Sequence, residues 1–209
     1  RKEVADGGWN EKTPFPFIQG TDCCGEVVEV FDDKYKNLLG KRVIVRPCLR
    51  VNGDKDLENI WMASDFDGAF AEYVKVSADD AFVVECDWTN EELASIPCTY
   101  GTSENMINRA VVKSTDTVLV MGASGGIGTA SIQLAKRRGA RVIGVCSRSK
   151  KEAVLSLGAD QVITREESIL KVLGGKSVDV VVDNVGGESF PELIEVLVRG
   201  GKYVSSGAV

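Results

Sequence analysis

The chain has 209 residues but contains no histidine, and none of its six cysteines forms a Cys-x-x-Cys pair. Zinc sites in proteins take their ligands largely from these two residue types, so the sequence gives no support for a structural zinc site. Cysteines that are not arranged as a disulfide framework are typical of proteins in reducing compartments. We therefore expect free, mostly buried thiols and a cytoplasmic protein.

A basic charge excess and long apolar segments are also missing. The net charge is −6, which disfavours binding to nucleic acid or to an anionic membrane. No apolar run approaches the roughly 20 residues of a membrane-spanning helix, and no apolar segment near the N-terminus suggests export. With 44% hydrophobic residues the composition is that of a globular protein.

The strongest local pattern lies in residues 117–146. Thr117–Met121 is an apolar run typical of a strand buried on both faces, and Val142–Val145 is a second such run. Between them, apolar residues recur at helical spacing from Ile127 onward, and Gly139 can end that helix. The stretch therefore predicts a strand, a glycine turn, a helix and a second strand, which together form a βαβ unit.

The glycine turn, Gly122–Gly128, fits the dinucleotide fingerprint G-x-G-x-x-G with alanine in the first place. Glycine lets the backbone approach a bulky anion, and the first N–H groups of the helix then point at that anion. The residues expected to hold the pyrophosphate are Gly125, Gly126, Ile127 and Gly128. Ser124 would add a hydroxyl, although a simple turn serine fits equally well. The alternative for the whole turn is an ordinary connection in another doubly wound protein.

The rest of the chain separates into a β-rich part and an alternating part. In the first part, residues 25–31, 41–46 and 69–76 predict strands, and residues 47–68 predict a long polar loop. Helices are predicted at 91–96, 99–112, 126–138, 150–157, 166–173 and 190–198. Further strands are predicted at 118–121, 142–145, 161–163, 178–183 and 202–205. This alternation predicts an α/β fold, a doubly wound parallel sheet preceded by a small β domain.

Several strings in this order resemble the medium-chain dehydrogenase/reductase superfamily. They are Ile18–Asp22 before Gly25–Val30, Gly40–Val43, Gly68–Val74, Gly122–Gly128, Leu157–Asp160 and Asp183–Gly187. The resemblance implies a GroES-like substrate domain over residues 1–95 and a Rossmann domain over residues 96–209. It also implies hydride transfer from a nicotinamide cofactor to a small-molecule substrate, which we expect to be a small carbonyl, a quinone or an activated alkene.

Compared with that superfamily, the chain lacks the first strands of the β domain and a sixth Rossmann strand. We therefore expect a truncated chain, and a homodimer when the protein is intact. We also expect the sheet edge near Lys202–Ser206 to be unpaired, which favours association.

The resemblance also bears on zinc. Zinc-dependent alcohol dehydrogenases of the superfamily have Gly-His-Glu where this chain has Gly20-Thr21-Asp22, and Cys98 stands where another ligand falls. Threonine is a poor zinc ligand, so we expect a zinc-independent member that resembles the quinone oxidoreductases and enoyl reductases. The alternatives are a zinc-type alcohol dehydrogenase relative that has lost its metal, and a non-catalytic NADPH-binding protein like the lens crystallins of this superfamily.

The residues after the second Rossmann strand predict the cofactor. An NAD-binding chain would place Asp or Glu there, but this chain has Cys146, followed by Ser147, Arg148 and Lys150. The resemblance puts Lys150 where NADP-dependent relatives often have lysine. We therefore expect NADP(H), with these three residues around its 2′-phosphate; a solvated helix start is the alternative.

Other candidate residues rest on the resemblance alone. It places Asn184 and Ser206 near the nicotinamide ribose and carboxamide, and Thr102 near the nicotinamide; Asn184 is equally well explained as a turn residue. No general acid stands out, and Asp22 and Tyr100 are weak candidates for that role. Trp61 and Met62 either line a substrate pocket or anchor the long loop.

Overall fold

The computed structural model describes residues 15–49 and 60–206, so part of the predicted 47–68 loop lies outside the described residues. The chain divides into two compact units, Arg1–Cys98 and Thr99–Val209. No helix in the described ranges is both long enough and apolar enough to cross a membrane.

The described residues of the first unit form five short strands and one α-helix. The strands are β1 (Cys24–Glu26), β2 (Arg42–Val45), β3 (Cys48–Leu49), β4 (Ile60–Trp61) and β5 (Ala81–Val83), and the helix is α1 (Asn90–Ala94). Strands β1, β2 and β5 form an antiparallel sheet with β2 in the centre. In β2, Val43 and Val45 are buried and alternate with less buried residues, as the sequence predicts. Strands β3 and β4 pair with each other, so the predicted loop contains a short antiparallel ladder.

Two strand predictions in this unit need correction. Residues 69–76 form no strand within the described part of the chain, although Ala69 and Phe70 donate backbone hydrogen bonds to Gly20 and Gln19. Alternating side chains do not make a strand unless the backbone finds a continuous partner. The predicted strand over 25–31 is shortened to β1, because Asp32 caps a 3-10 turn at Asp33–Leu38 that takes the chain away.

The second unit is a five-stranded parallel sheet with helices between its strands. The helices are α2 (Ile96–Arg109), α3 (Gly126–Arg137), α4 (Lys151–Ser156), α5 (Ile169–Leu173) and α6 (Phe190–Val196). The strands are β6 (Thr117–Val120), β7 (Arg141–Cys146), β8 (Gln161–Thr164), β9 (Val178–Asp183) and β10 (Leu197–Ser205). Helix α2 spans the division between the two units.

The strand order is β10-β9-β6-β7-β8, and every neighbouring pair is parallel. Val118 and Val120 belong to one apolar cluster, while Leu119 and Met121 belong to another. Alternate residues of β6 therefore enter two separate clusters, which fits a sheet buried on both faces. The predicted α/β fold class is confirmed.

Several predicted helices have different ends. The helix predicted over 99–112 runs from Ile96 to Arg109. The predicted helix over 166–173 begins only at Ile169, because the Glu167 carboxylate accepts hydrogen bonds from the N–H and hydroxyl of Thr164 in a turn. The predicted helix over 190–198 ends at Val196, because Leu197 pairs with Val178 of β9. A local turn outweighs helix propensity before Ile169, and strand pairing with β9 outweighs it after Val196.

Candidate functional site

One edge of the second unit's sheet collects most of the predicted cofactor residues. Because β6, β7, β9 and β10 are parallel, their carboxyl ends lie at the same edge. The chain leaves β6 toward β7 on one side, whereas β9 and β10 lie on the other side of β6. Ligands of open α/β sheets bind at such a reversal of strand order, outside the carboxyl ends of the strands. The residues that follow these ends therefore form the candidate site.

The turn after β6 is held by backbone contacts. Gly122 has a φ of +62°, a conformation that favours glycine. The N–H of Gly125 donates to the carbonyl of Gly122 at 3.0 Å, and helix α3 begins at the next residue. No side chain caps this helix through its N-cap residue, Gly125. The N-terminal end of α3 thus carries the positive end of the helix dipole without a side-chain cap.

Three glycines of this turn have different surroundings. A Cβ atom on Gly128 would lie 2.2 Å from the Gly122 carbonyl oxygen, and one on Gly126 would lie 2.7 Å from Thr99 Cγ2. Packing inside the unit therefore requires glycine at both positions. Apart from its two neighbours in the chain, a Cβ atom on Gly125 would have only the Gly122 carbonyl oxygen within 4 Å among the described residues, at 3.4 Å. Gly125 is exposed, its φ is −85°, and no neighbour demands a glycine there.

A buried serine pair fixes the start of α3 against α2. The Ser103 hydroxyl donates to the Ile127 carbonyl at 2.8 Å, and the Ser131 hydroxyl donates to Ser103 at 3.1 Å. Both serines are fully buried. Neither residue was singled out from the sequence, because a serine inside a helical pattern gives no local signal of its partner. Thr102 lies next to Ser103 on the same helix.

Asn184 and Ser206, which were expected near the nicotinamide, are brought together by the structure. The Ser206 hydroxyl donates to Asn184 Oδ1 at 3.2 Å, and Asn184 Nδ2 donates to the Met121 carbonyl at 3.4 Å. Asn184 therefore links the ends of three strands, which is more than a turn residue requires.

The basic segment after β7 forms a 3-10 turn over Arg148–Lys150. The Ser147 and Ser149 hydroxyls lie 3.4 Å apart. Within the described ranges, neither Arg148 nor Lys150 forms an ion pair shorter than 4 Å. The predicted phosphate-binding cations are thus exposed and available at the edge of the sheet.

Two acidic side chains follow the neighbouring strand, however, and the sequence did not predict that they lie near the basic segment. Cys146 at the end of β7 is paired with Thr164 at the end of β8, so Glu166 and Glu167 follow the adjacent strand. Hydrogen bonds from Thr164 lower the pKa of both carboxyls, and the charge of Arg148 lowers both further. The carboxylates are therefore ionised at neutral pH and offset part of the local positive charge.

The cysteines differ from expectation. Cys146 is fully buried in the apolar core and burial raises its pKa, so it offers a ligand no thiolate. Cys86 is exposed, and the remaining four cysteines are only partly buried, so the expectation of mostly buried thiols is wrong. All six are free thiols in this structure.

The first unit contains a cavity of about 410 Å³ lined by Thr21, Asp22 and Cys98, among others. Asp22 Oδ1 accepts a hydrogen bond from the Cys98 backbone N–H at 2.8 Å, so this carboxylate holds the chain at the start of α2. That contact explains Asp22 without a catalytic role. Tyr100, the other weak candidate, is partly buried on α2 in the second unit.

Residues of the long loop behave differently from one another. Met62 is only 2% exposed and donates its N–H to the Pro47 carbonyl, so it anchors the loop. Trp61 is 42% exposed and is not among the residues that line the cavity. Ala63 and Phe70 do line it, which the sequence did not indicate.

Among the described residues, no group of three or more His, Cys, Asp or Glu side chains is arranged to hold a metal ion. Since the whole chain lacks histidine, the donor set of the zinc-dependent alcohol dehydrogenases cannot form from its described residues.

Comparison with known families agrees with this architecture. Residues 2–86 match the family described as alcohol dehydrogenase GroES-like domain, and residues 126–209 match the family described as zinc-binding dehydrogenase. The fold and the matches define a class of oxidoreductases with a GroES-like first domain and a Rossmann-like second domain.

Curated relatives extend over nearly the whole chain. Acryloyl-coenzyme A reductase of Metallosphaera sedula is 29% identical over 97% of this chain and 63% of its own length. An NAD-dependent alcohol dehydrogenase of Saccharolobus solfataricus is 32% identical over 92% of this chain and 60% of its own length.

Solved structures of oxidoreductases are also similar to this chain. A candidate alcohol dehydrogenase from Sinorhizobium meliloti has a TM-score of 0.87 and 41% identity, over 93% of this chain and 56% of its own. The quinone oxidoreductase of Thermus thermophilus, whose complex with NADPH is known, has a TM-score of 0.75 and 26% identity, over 98% of this chain and 59% of its own. The chain thus spans between 56% and 63% of the length of these relatives. It belongs to the medium-chain dehydrogenase/reductase superfamily.

Proposed function

We propose that this protein is a cytoplasmic, NADPH-dependent oxidoreductase that reduces a small carbonyl, quinone or activated alkene without zinc. The observation that carries the proposal is the open turn at Gly125. The neighbouring Gly126 and Gly128 are glycines because the protein itself fills the space beside them, whereas Gly125 faces solvent at the end of an uncapped helix. A ligand anion that approaches the backbone explains a glycine at that position.

The described residues fit a dinucleotide. The Gly125 N–H already donates to the Gly122 carbonyl, so Gly126 and Ile127 would hold the pyrophosphate through their backbone N–H groups, and Gly125 would let the ligand approach because it has no side chain. Asn184 and Ser206 would face the nicotinamide end, with Thr102 nearby. When bound, the nicotinamide supplies the hydride, and the protein supplies orientation and polar contacts.

The choice of NADPH over NADH rests on the segment after β7. Ser147, Arg148 and Lys150 offer one hydroxyl and two cations to a 2′-phosphate, and the buried thiol of Cys146 cannot take the place of a ribose-binding carboxylate. The T. thermophilus relative, known in complex with NADPH, is consistent with this choice. The S. solfataricus relative is NAD-dependent, and Glu166 and Glu167 oppose a phosphate here, so the preference must be measured.

Zinc independence is supported by the donor set. Thr21 and Asp22 line the cavity of the first unit together with Cys98, but the Asp22 carboxylate already accepts a backbone hydrogen bond. We expect metal analysis of protein purified without added zinc to show well below one equivalent. A stoichiometric zinc that survives chelation would contradict this part of the proposal.

The activity test is a turnover assay with both cofactors and a substrate panel. The panel contains quinones, aldehydes, enones and acryloyl-coenzyme A, because one curated relative is named for the last of these. NADPH oxidation with at least one member supports the proposal. Tight NADPH binding without turnover on any member would favour the non-catalytic alternative, which the lack of an evident general acid also favours. Failure to bind either cofactor would contradict both.

A further inference from the structure

The candidate site contains a buried carboxylate, that of Asp183. Asp183 is the last residue of β9 and is fully buried, at 0% exposure. Its Oδ1 accepts hydrogen bonds from the N–H groups of Val185 at 2.9 Å and Gly186 at 3.0 Å. Its Oδ2 accepts a hydrogen bond from the Tyr203 hydroxyl at 2.5 Å. A buried charge with three donors is well satisfied, and loss of any donor weakens its hold on the others.

Tyr203 comes from the neighbouring strand, β10, and is itself held in place. Its ring packs edge-on against Phe190, with 5.2 Å between the ring centres. Burial, together with the hydrogen bond and charge of Asp183, raises the pKa of Tyr203 to about 12. The hydroxyl is therefore protonated and acts as a donor throughout the physiological pH range.

The segment that Asp183 holds lies beside the glycine turn. Gly186 and Gly187 have φ values of +69° and +79°, so the chain bends sharply after Val185. A Cβ atom placed on Gly122 would lie 3.1 Å from Val185 Cγ2, and nothing else among the described residues is within 4 Å of it. Val185 is nevertheless 55% exposed. An apolar side chain is thus fixed next to the turn and open to solvent.

We propose that Asp183 and Tyr203 are positioning residues of the dinucleotide site. The Tyr203 hydroxyl orients the Asp183 carboxylate, and the carboxylate fixes the Val185 and Gly186 backbone. That places the Val185 side chain against the ligand bound at the glycine turn, where it packs on the ligand's apolar surface. The inference rests on the proposed function, because the ligand it concerns is the nicotinamide dinucleotide. Neither residue is catalytic.

A purely structural role for this cluster predicts something different. It would lower the stability of the fold when disrupted, and ligand affinity would follow only the loss of folded protein. A matched aspartate separates the two roles. Asp179 lies on the same strand near its opposite end, and its Oδ2 accepts the Thr117 backbone N–H at 2.8 Å. Asp179→Ala therefore removes an aspartate-to-backbone bond far from the candidate site.

The experiment is a titration of the full chain with NADPH, followed by nicotinamide fluorescence, beside urea unfolding of each variant. Tyr203→Phe keeps the ring contact with Phe190 and removes only the donor, and we expect Kd to rise about three- to tenfold. Val185→Ala removes an exposed apolar group, and we expect a similar rise with little change in stability. Asp183→Asn puts an amide nitrogen where Oδ2 accepts the Tyr203 hydroxyl, so we expect its Kd to rise as it does in Tyr203→Phe. Asp179→Ala should lose stability and keep its affinity among folded molecules.

The outcomes are distinct. If the wild type binds NADPH while Val185→Ala and Tyr203→Phe bind it equally well, the positioning role is wrong and the proposed function stands. If Asp179→Ala weakens binding as much as Tyr203→Phe does, the effect is one of stability and the inference also fails. If the wild type binds no dinucleotide, the proposed function fails and takes this inference with it.

Discussion

Individual side chains after β7 decide which cofactor the proposed site accepts. A charge-assisted hydrogen bond to phosphate contributes about 1.5–3 kcal/mol, so one good contact gives about a ten- to hundredfold preference. We therefore predict that NADPH binds at least about tenfold more tightly than NADH. The double change Arg148→Ala with Lys150→Ala should remove most of this difference and leave NADH affinity nearly unchanged. Fluorescence titration with both cofactors measures it; equal loss of NADH and NADPH affinity would show that the cluster is only solvated surface.

The two acids beside Arg148 permit a second residue-level prediction. Glu166→Gln with Glu167→Gln removes negative charge near the 2′-phosphate while keeping hydrogen-bonding groups. Because solvent screens these exposed charges, we expect NADPH affinity to rise by only about two- to fivefold and NADH affinity not to change. Glu195→Gln on α6 removes one negative charge beyond the amino end of β9, where the Glu195 carbonyl accepts the Lys176 N–H, and is the matched control for the single change Glu166→Gln. An equal gain in the control would mean that net charge alone causes the effect.

At the scale of elements, local pattern predicts the second unit well. Its strands are continuous apolar runs because both faces are buried, and Val178–Asp183 was predicted with its observed ends. Predictions failed where partners distant in sequence decide. Residues 69–76 alternate like a strand but find no continuous ladder in the described structure. The Asp183–Tyr203 bond and the proximity of Glu166 to Arg148 both depend on strand order, which side-chain patterns do not reveal.

Asp160, which precedes β8, forms an ion pair with α3 that permits a prediction on how stability depends on pH. Asp160 accepts the Val142 N–H at 2.7 Å and Lys136 Nζ at 2.9 Å. Burial acts to raise the pKa of Asp160, but the Val142 hydrogen bond and Lys136 outweigh it, and the pKa is lowered. Because the pKa of Asp160 is lower in the folded protein than its ordinary value of 3.8, the ionised carboxylate stabilises the fold at pH values above 3.8. This stabilisation is lost as the pH falls through the pKa of the folded state.

Asp160→Asn keeps an acceptor for Val142 and removes the charge. Since both charged side chains are about one-third exposed, solvent screens the pair, and we expect a cost of about 1 kcal/mol or less at pH 7. The difference from the wild type should shrink as the pH falls through the lowered pKa of Asp160, because the wild-type carboxyl then becomes protonated as well. Urea unfolding across this pH range measures it. A cost that persists unchanged in acid would assign the effect to packing.

For the whole molecule, the edge of the parallel sheet predicts association. Within the described residues, β10 is an outer strand of the parallel sheet, with β9 as its neighbour. Such edges pair readily with other chains, so we predict concentration-dependent self-association of this chain. Sedimentation velocity over a range of concentrations measures the association. A stable monomer at every concentration would contradict this expectation.

The central claim is that a nicotinamide dinucleotide binds at the Gly125 turn, and Gly125→Ala tests it most directly. Apart from the two neighbours in the chain, the protein atom nearest to the added methyl would be the Gly122 carbonyl oxygen, at 3.4 Å. We therefore expect the unfolding free energy to fall by only about 1 kcal/mol or less. Gly175→Ala is the matched control, since its methyl would lie 3.5 Å from the carbonyl oxygen of Glu195, before the start of β9. We predict that NADPH affinity falls about tenfold or more in Gly125→Ala and stays at the wild-type value in Gly175→Ala, measured by nicotinamide fluorescence. Wild-type affinity in a folded Gly125→Ala protein would contradict the account.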